Sequence, residues 1–415
     1  MSETTTVPIG ELPPPGEVPE RMLAQVIRQD RFGDPRTAFR VEEVDVPALA
    51  PDQVLVGVMA AGINFNNIWA ARGLPVDVIR ARQKAGEPWD FHIGGSDASG
   101  VVQAVGDAVT GVAVGDEVVV HHGWWDPDDP WVRSGRDPML APSARIWGYE
   151  TNFGAFGQFT VAQAHQCMPK APHLTWEEAA APTLVGTTAY RMLHGWAPHT
   201  VGDGDVVLVW GGSGGLGTQA IQLATAAGAR AVAVVSDAAR GDYCVGLGAA
   251  GYVDRSEMSH WGMPPHWDDA AGQAEWTAGA RSFGAKVWEV LGERRNPNLV
   301  FEHPGEATIP TSVFVCETGG MVVVCAGTTG YSAVVDLRHH WVRQKRLQGS
   351  HGTNDEQARA YNDLVRARAV DPCLGKLYRF EEIPDAHHEM EQGHEVFGNR
   401  VALVGAPGPG SGGQT

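Results

Sequence analysis

Short apolar runs, broken by glycine, proline and aspartate, dominate the first part of the chain. From Met22 to Gln53 apolar and polar positions alternate, the period of a half-buried strand. Residues 53–65 ("QVLVGVMAAGINF") predict a strand that runs out into a loop. Residues 99–122 ("SGVVQAVGDAVTGVAVGDEVVVHH") hold brief valine-rich runs at close intervals, which predicts a small, strongly bent antiparallel barrel. Residues 123–148, rich in Trp, Pro and Asp, interrupt this pattern as a long irregular insertion, the kind of loop that tends to carry function or partner contacts.

The texture changes after a helical stretch at 175–193. Near-continuous apolar strands now alternate with helical periods: 205–210 ("DVVLVW"), 218–229, 230–236 ("RAVAVVS"), 251–255, a helix around 273–292, 299–305 ("LVFEHPG") and 319–331 ("GGMVVVCAGTTGY"). Strands buried on both faces and separated by helices predict a parallel, doubly wound sheet. The C-terminal part returns to the early texture, with a helix in "EEIPDAHHEMEQG" and a strand in "RVALVGAP", and is expected to pack back on the first domain. The division that follows is 1–188 with 348–415 as one domain and 189–347 as the other. The Pro-rich residues 1–20 are expected to be mobile or draped over the surface, and "GPGSGGQT" to be a flexible end.

Composition narrows the function classes. Two domains are the default for 415 residues, 43% of them hydrophobic. A formal net charge of −18 repels phosphate backbones, so neither nucleic acid nor an anionic membrane is an expected partner. No apolar run approaches the ~20 residues of a membrane span. Five scattered cysteines without C-x-x-C spacing argue against structural zinc and a disulfide framework, and with no export-type leader they fit a reducing cytoplasm.

The strongest chemical signal is "VVLVWGGSGGLGTQAIQLA". Gly212, Gly214 and Gly217 follow a buried strand and open a helix, so backbone N–H groups can approach a pyrophosphate at the helix N-terminus. Ser213, Gly215 and Leu216 complete that turn. The next strand ends at Ser236 rather than at Asp or Glu, with Arg240 nearby, a pair suited to a 2′-phosphate; the reading is NADPH. The same stretch matches G-x-S-x-G at Gly211, Ser213 and Gly215, a nucleophile elbow that would need His303 or another base. The histidine pairs 121–122, 339–340 and 387–388 show no H-E-x-x-H spacing, so no metal site is expected from them. "GINFNNIW" (62–69) carries three asparagines, turn formers whose clustered amides can also bind carbonyl oxygens.

The combination of "GGSDASGVVQAVGDAVTGVAVGDEV", the glycine turn, "WGYETNFG", "TAYRMLHGWAPHTV", "FEHPGEATIPTSVFVCETGGMVVVCAGTTGY" and "VRQKRLQGSH" resembles crotonyl-CoA carboxylase/reductases, from about residue 20 to 407. The resemblance implies a zinc-free medium-chain dehydrogenase/reductase: a Rossmann doubly wound sheet plus a GroES-like β-barrel catalytic domain. It implies NADPH-dependent reduction of an enoyl-CoA, capture of CO2 by the resulting enolate, and an alkylmalonyl-CoA product of the kind used as a polyketide extender unit. The alternative is a plain enoyl-CoA or quinone reductase that protonates the enolate. A homodimer or homotetramer is implied in the same way, with the Trp-rich insertion as a contact.

Residue by residue, the resemblance maps a CO2 pocket to Asn66 (Asn64 second), Tyr149, Glu150 and His351. Thr187 and the turn Cys325, Ala326, Gly327 are expected to line the nicotinamide. Arg338, Arg343, Lys345 and Arg346 are candidates for the CoA phosphates. Two positions depart from crotonyl-type members, which often carry Phe at the first and generally at the second: Tyr149 and Gly352. The bare Gly352 is expected to open space for an acyl chain longer or bulkier than crotonyl.

Overall fold

The strand Gln53–Ile63 has no charged side chain, and all of it but Gln53 is buried. It pairs antiparallel with Ala98–Val105, Phe159–Gln163 and Asn399–Leu403. Its register slips between Leu55 and Val56 and again between Val58 and Ala60, which bends it. The strands Phe39–Asp45, Arg21–Arg28 and Phe91–Ile93 form a second sheet in that order. The core between them is built on Phe39, Trp147, Phe156 and Phe159. This is the bent, largely antiparallel body that the short valine runs predict. The computed structural model describes residues 6–413 other than 395.

The chain divides into two units, Met1–Thr187 with Gly352–Arg368 and Pro372–Thr415, and Thr188–His351 with Ala369–Asp371. These junctions lie within a few residues of the expected ones. Ala369–Asp371 joins the second unit, where the Asp371 N–H donates to Gln222 Oε1 at 2.7 Å.

Among the described residues, the N- and C-terminal segments of the first unit are both tied down. A Cβ on Gly57 would lie 2.4 Å from Leu12 Cδ1, so the N-terminal segment packs directly on the central strand. The tail is no free end as far as residue 413: Gly410 N–H donates to Glu177 Oε1 (2.6 Å), Lys170 Nζ to Gly412 O (2.8 Å) and Trp176 N–H to Ser411 O (3.0 Å). Glycine-rich composition gave the opposite expectation, because these partners lie far away in sequence.

The second unit holds six parallel strands in the spatial order Gly251–Asp254, Arg230–Val235, Val206–Trp210, Leu299–Glu302, Met321–Val324 and Arg346–Gly349. Numbered along the chain this is 3-2-1-4-5-6, the doubly wound order that reverses beside the first strand. The expected helix near 273–292 is Ala270–Leu291, with the Asp269 side chain accepting from Gly272 N–H at its start and Gly292 (φ 69°) ending it. The helical stretch at 175–193 is instead two helices, Trp176–Ala180 and Thr183–His194, split at Pro182, which has no N–H to continue the first. Among the described residues no helix is long and apolar enough to cross a membrane.

Candidate functional site

In the second unit, the strand Val206–Trp210 ends in a turn that opens the helix Gly215–Ala226. Gly214 is its N-cap and supplies no side chain, so the first N–H groups of the helix are not capped from within. A Cβ on Gly217 would lie 2.3 Å from Gly211 O and 2.6 Å from Gly212 Cα; only glycine lets the turn fold this tightly on the helix. The cradle fits a pyrophosphate. Arg240 reaches back to donate from Nη1 to Ser213 Oγ at 2.9 Å, which places a guanidinium beside the turn. Asp237, one residue past Ser236, was not anticipated as a ribose ligand. Its carboxylate accepts from Arg240 N–H (2.9 Å) and pairs with Arg240 Nε (3.2 Å), and these bonds hold it below the usual carboxylate range. Asp237 Oδ2 also accepts from Ser236 Oγ (3.2 Å), so the acid is occupied by the cap, the hydroxyl and the ion pair, and Arg240 is the cation at this edge.

The same geometry disposes of the nucleophile elbow. His303 Nε2–H donates to Trp210 O at 3.0 Å, and burial lowers its pKa to about 4. The imidazole is a neutral strut under Gly211, and the group beside Ser213 Oγ is a cation rather than a base.

Beside it, Glu302 is fully buried, accepting from Thr308 Oγ1 (2.7 Å), Ser312 Oγ (2.6 Å) and Gly305 N–H (3.2 Å). Burial pushes its carboxyl up to about 7 from 4.5, against those bonds. A raised folded pKa gives stability that is complete below the unfolded value and is lost as pH rises to the folded one. Urea unfolding should therefore show wild type losing about 3 kcal/mol across that interval relative to Glu302→Gln. Equal slopes for the two proteins would contradict this.

The predicted cofactor and CoA residues fare unequally. Thr187 Oγ1 donates to Thr183 O (2.6 Å), so its hydroxyl is tied to its own helix. The Cys325–Gly327 turn packs on the 303–305 segment: a Cβ on Gly305 would lie 2.9 Å from Gly327 Cα. Burial pushes the Cys325 thiol up to about 12. Lys345 is no phosphate ligand: its buried ammonium donates to Val313 O (2.6 Å) and Phe314 O (3.2 Å), the open carbonyl end of a helix. Arg346 is likewise held by Trp196 O (3.1 Å) and Gln348 Oε1 (2.5 Å). Arg338 pairs with Asp336 at 2.6 Å but is exposed, as is Arg343, and these two remain as candidates.

In the first unit, the helix Asn66–Arg72 leaves the central strand and starts with the asparagine cluster. Asn64 is spent inside, donating from Nδ2 to Asp97 Oδ2 at 2.6 Å. Burial pushes the Asp97 carboxyl well above its usual range, opposed by Asn64 and by Leu184 N–H. Asn66 is oriented instead. Its Oδ1 accepts from Asn67 Nδ2 (2.9 Å), and its Nδ2 donates one proton to Ser96 Oγ (2.9 Å), leaving the second N–H. Asn67 is itself fixed, because its Oδ1 accepts from Gly95 N–H at 3.1 Å. Ser96 and Asn67 were missed as supports; both lie in quoted motifs, but nothing in their spacing gives the direction of an amide.

Tyr149 packs on that helix through Trp69, with ring centroids 6.4 Å apart. It also borders the small apolar cluster of Trp125, Met139 and Ile146. Glu150 Oε2 accepts from Ile146 N–H at 2.8 Å and faces a cavity of about 610 Å³ walled by Trp89, Trp124, Trp147 and Phe153. Gly352 does not open a void. It has φ 67°, and a Cβ there would meet Met139 Cε at 2.4 Å and Ile146 Cδ1 at 3.0 Å. The place beside Gly352 is filled by the insertion's own side chains. So Asn66, Tyr149, Glu150 and Gly352 share the first unit, while the exposed His351 is the last residue of the long segment of the second and is bonded directly to Gly352.

Comparisons with known proteins agree with this fold. An alcohol dehydrogenase GroES-like domain model matches residues 50–172, and a zinc-binding dehydrogenase model matches 215–367. The chain is 49% identical to a crotonyl-CoA carboxylase/reductase of Cereibacter sphaeroides, over 97% of this chain and 92% of the relative. Among solved structures it is similar to the crotonyl-CoA carboxylase/reductase AntE in complex with NADP (51% identity, 97% of this chain and 99% of that one, TM-score 0.93). It is also similar to the 2-octenoyl-CoA carboxylase reductase CinF with NADP and 2-octenoyl-CoA (37% identity, 95% and 90%, TM-score 0.86).

Proposed function

Since the chain belongs to the crotonyl-CoA carboxylase/reductase family, we propose that it performs NADPH-dependent reductive carboxylation of α,β-unsaturated acyl-CoA thioesters to alkylmalonyl-CoA. The observation that carries this reading is the amide of Asn66, locked by Asn67 and Ser96 with one N–H left over. A fixed N–H of that kind can donate to an oxygen on which negative charge grows.

The turn Gly212–Gly217 with Arg240 and Ser236 would hold the cofactor, and NADPH when bound supplies the hydride for the substrate's β-carbon. The thioester enolate so formed carries its charge on oxygen and the α-carbon, and the α-carbon bonds to CO2 to give a carboxylate. No proton is consumed. Asn66 donates to one oxygen of CO2, where negative charge grows as the bond forms. Glu150, which faces the cavity of the first unit, holds a water that donates to the other oxygen. Tyr149, packed between Trp69 and the apolar cluster, excludes bulk water whose proton would end the reaction as simple reduction.

Acyl chains longer than crotonyl enter by displacing the Met139 thioether, which has three rotatable bonds and fills the place beside Gly352. Exposed Leu337, Trp341 and Val342 in the second unit support a homodimer or homotetramer, and five free cysteines support a reducing cytoplasm.

The test is a panel of crotonyl- to octenoyl-CoA with NADPH, with and without bicarbonate plus carbonic anhydrase, each product being weighed. Carboxylated product that depends on bicarbonate supports the reading; only saturated acyl-CoA would leave a plain reductase. Met139→Ala should shift kcat/KM toward octenoyl-CoA by about tenfold or more. An unchanged chain-length profile would remove Met139 from substrate selection.

A further inference from the structure

The turn Gly352–Asn354 is fastened residue by residue to the rest of the first unit. Gly352 lies against Met139 and Ile146. A Cβ on Gly123 would sit 2.1 Å from Thr353 O, so Thr353 rests on bare backbone. Asn354 donates to Asp137 Oδ1 at 3.2 Å and caps the helix Asp355–Arg366 by accepting from Gln357 N–H. Asp355, the first residue of that helix, points Oδ1 at two imidazoles, His121 Nε2 at 3.1 Å and His165 Nδ1 at 2.8 Å.

Counting hydrogen bonds fixes the protons. His121 Nδ1 accepts from Gly123 N–H (3.2 Å), so its proton is on Nε2 and is donated to Asp355. Burial lowers the His121 pKa, which keeps that ring neutral. His165 faces acceptors on both sides, Asp355 Oδ1 and Gln163 Oε1 (2.9 Å). The Gln163 orientation is set by its Nε2 donating to Trp125 O (2.9 Å). Both His165 nitrogens thus face acceptors, and the ring stacks on Trp125 (centroids 4.2 Å apart). The other charges facing the group are Arg359, 3.9 Å from Asp355 Oδ2, and Asp52, 3.5 Å from Gln163 Nε2. These three side chains lie close enough to hold one metal ion, but a ligating Nε2 on His121 would need a ring stripped of both protons.

We propose that Asp355, clamped by His121 and His165, is a positioning residue that fixes the Gly352–Asn354 turn against Met139 and Ile146, whose N–H holds Glu150, and so sets how much enolate is carboxylated rather than protonated. The proposal rests on the reductive-carboxylation reading. It explains why two histidines and a carboxylate meet beside an irregular insertion. A helix start alone would need only its cap.

The test uses the NADPH-bound protein and the variant Asp355→Asn, which keeps shape and loses charge. NADPH oxidation with crotonyl-CoA should persist, the KM for CO2 should rise, and the carboxylated share of product should fall on the order of tenfold. Asp355→Glu should restore part of that share. His165→Gln serves as a second variant should Asp355→Asn fail to fold. In ¹⁵N-histidine spectra, His165 should carry protons on both nitrogens in wild type and lose one in Asp355→Asn. An unchanged product ratio in both variants overturns the positioning role. Zinc binding that abolishes the doubly protonated ring overturns the clamp. A wild type that never carboxylates overturns the functional reading, and with it the proposed consequence, while the spectra still decide the clamp.

Discussion

Asn66→Asp is expected to separate the two halves of the reaction. NADPH oxidation on crotonyl-CoA continues, while the carboxylated product falls by about two to three orders of magnitude, the usual cost of removing one donor aimed at a developing oxyanion. The fold has reason to tolerate this change. Asn67 Nδ2 can still donate to the new carboxylate, and Ser96 can turn its hydroxyl to donate rather than accept. What is lost is the free N–H, and what replaces it is a negative charge facing a forming carboxylate. Product masses and NADPH turnover, measured in the same vessel, read both halves. Equal loss of reduction and carboxylation would mean that Asn66 acts on substrate binding and not on CO2.

Gly217→Val should act on the other unit and abolish both products together. The added side chain meets Gly211 O and Gly212 Cα, both backbone, so nothing flexible can yield. Opening the turn moves the N–H groups off the pyrophosphate position, and NADPH affinity should fall at least a hundredfold, about 2.7 kcal/mol. Fluorescence titration with NADPH measures it directly. A folded variant with near-normal affinity would show that the cofactor does not depend on this turn.

The parts of the fold readable in the sequence are those set by local pattern. The valine runs of the second unit, apolar along their length and separated by helical periods, predicted parallel strands, and the glycine turn after Val206–Trp210 predicted the helix that follows. The bends of the first unit followed from glycine and aspartate at close intervals. Lys345 and Arg346 were misread because a cation's partners are decided by chain folding: their carbonyl acceptors come from residues 313–314 and 196, in other elements. Gly352 was noticed for its missing side chain, but its positive φ and the Met139 thioether beside it are tertiary facts. The Asp355 clamp was hidden for the same reason. Its histidines stand 234 and 190 residues away, and neither shows a metal or catalytic spacing.

The central claim is that one enolate, made by one hydride, is trapped by CO2 before a proton reaches it. The most direct measurement supplies ¹³C-bicarbonate with carbonic anhydrase and compares label in the acyl-CoA product with NADPH consumed. The account predicts close to one labelled carboxyl per NADPH oxidised for wild type, collapsing for Asn66→Asp while NADPH oxidation goes on. NADPH consumption by wild type at full rate, with unlabelled saturated acyl-CoA as the product, would contradict it.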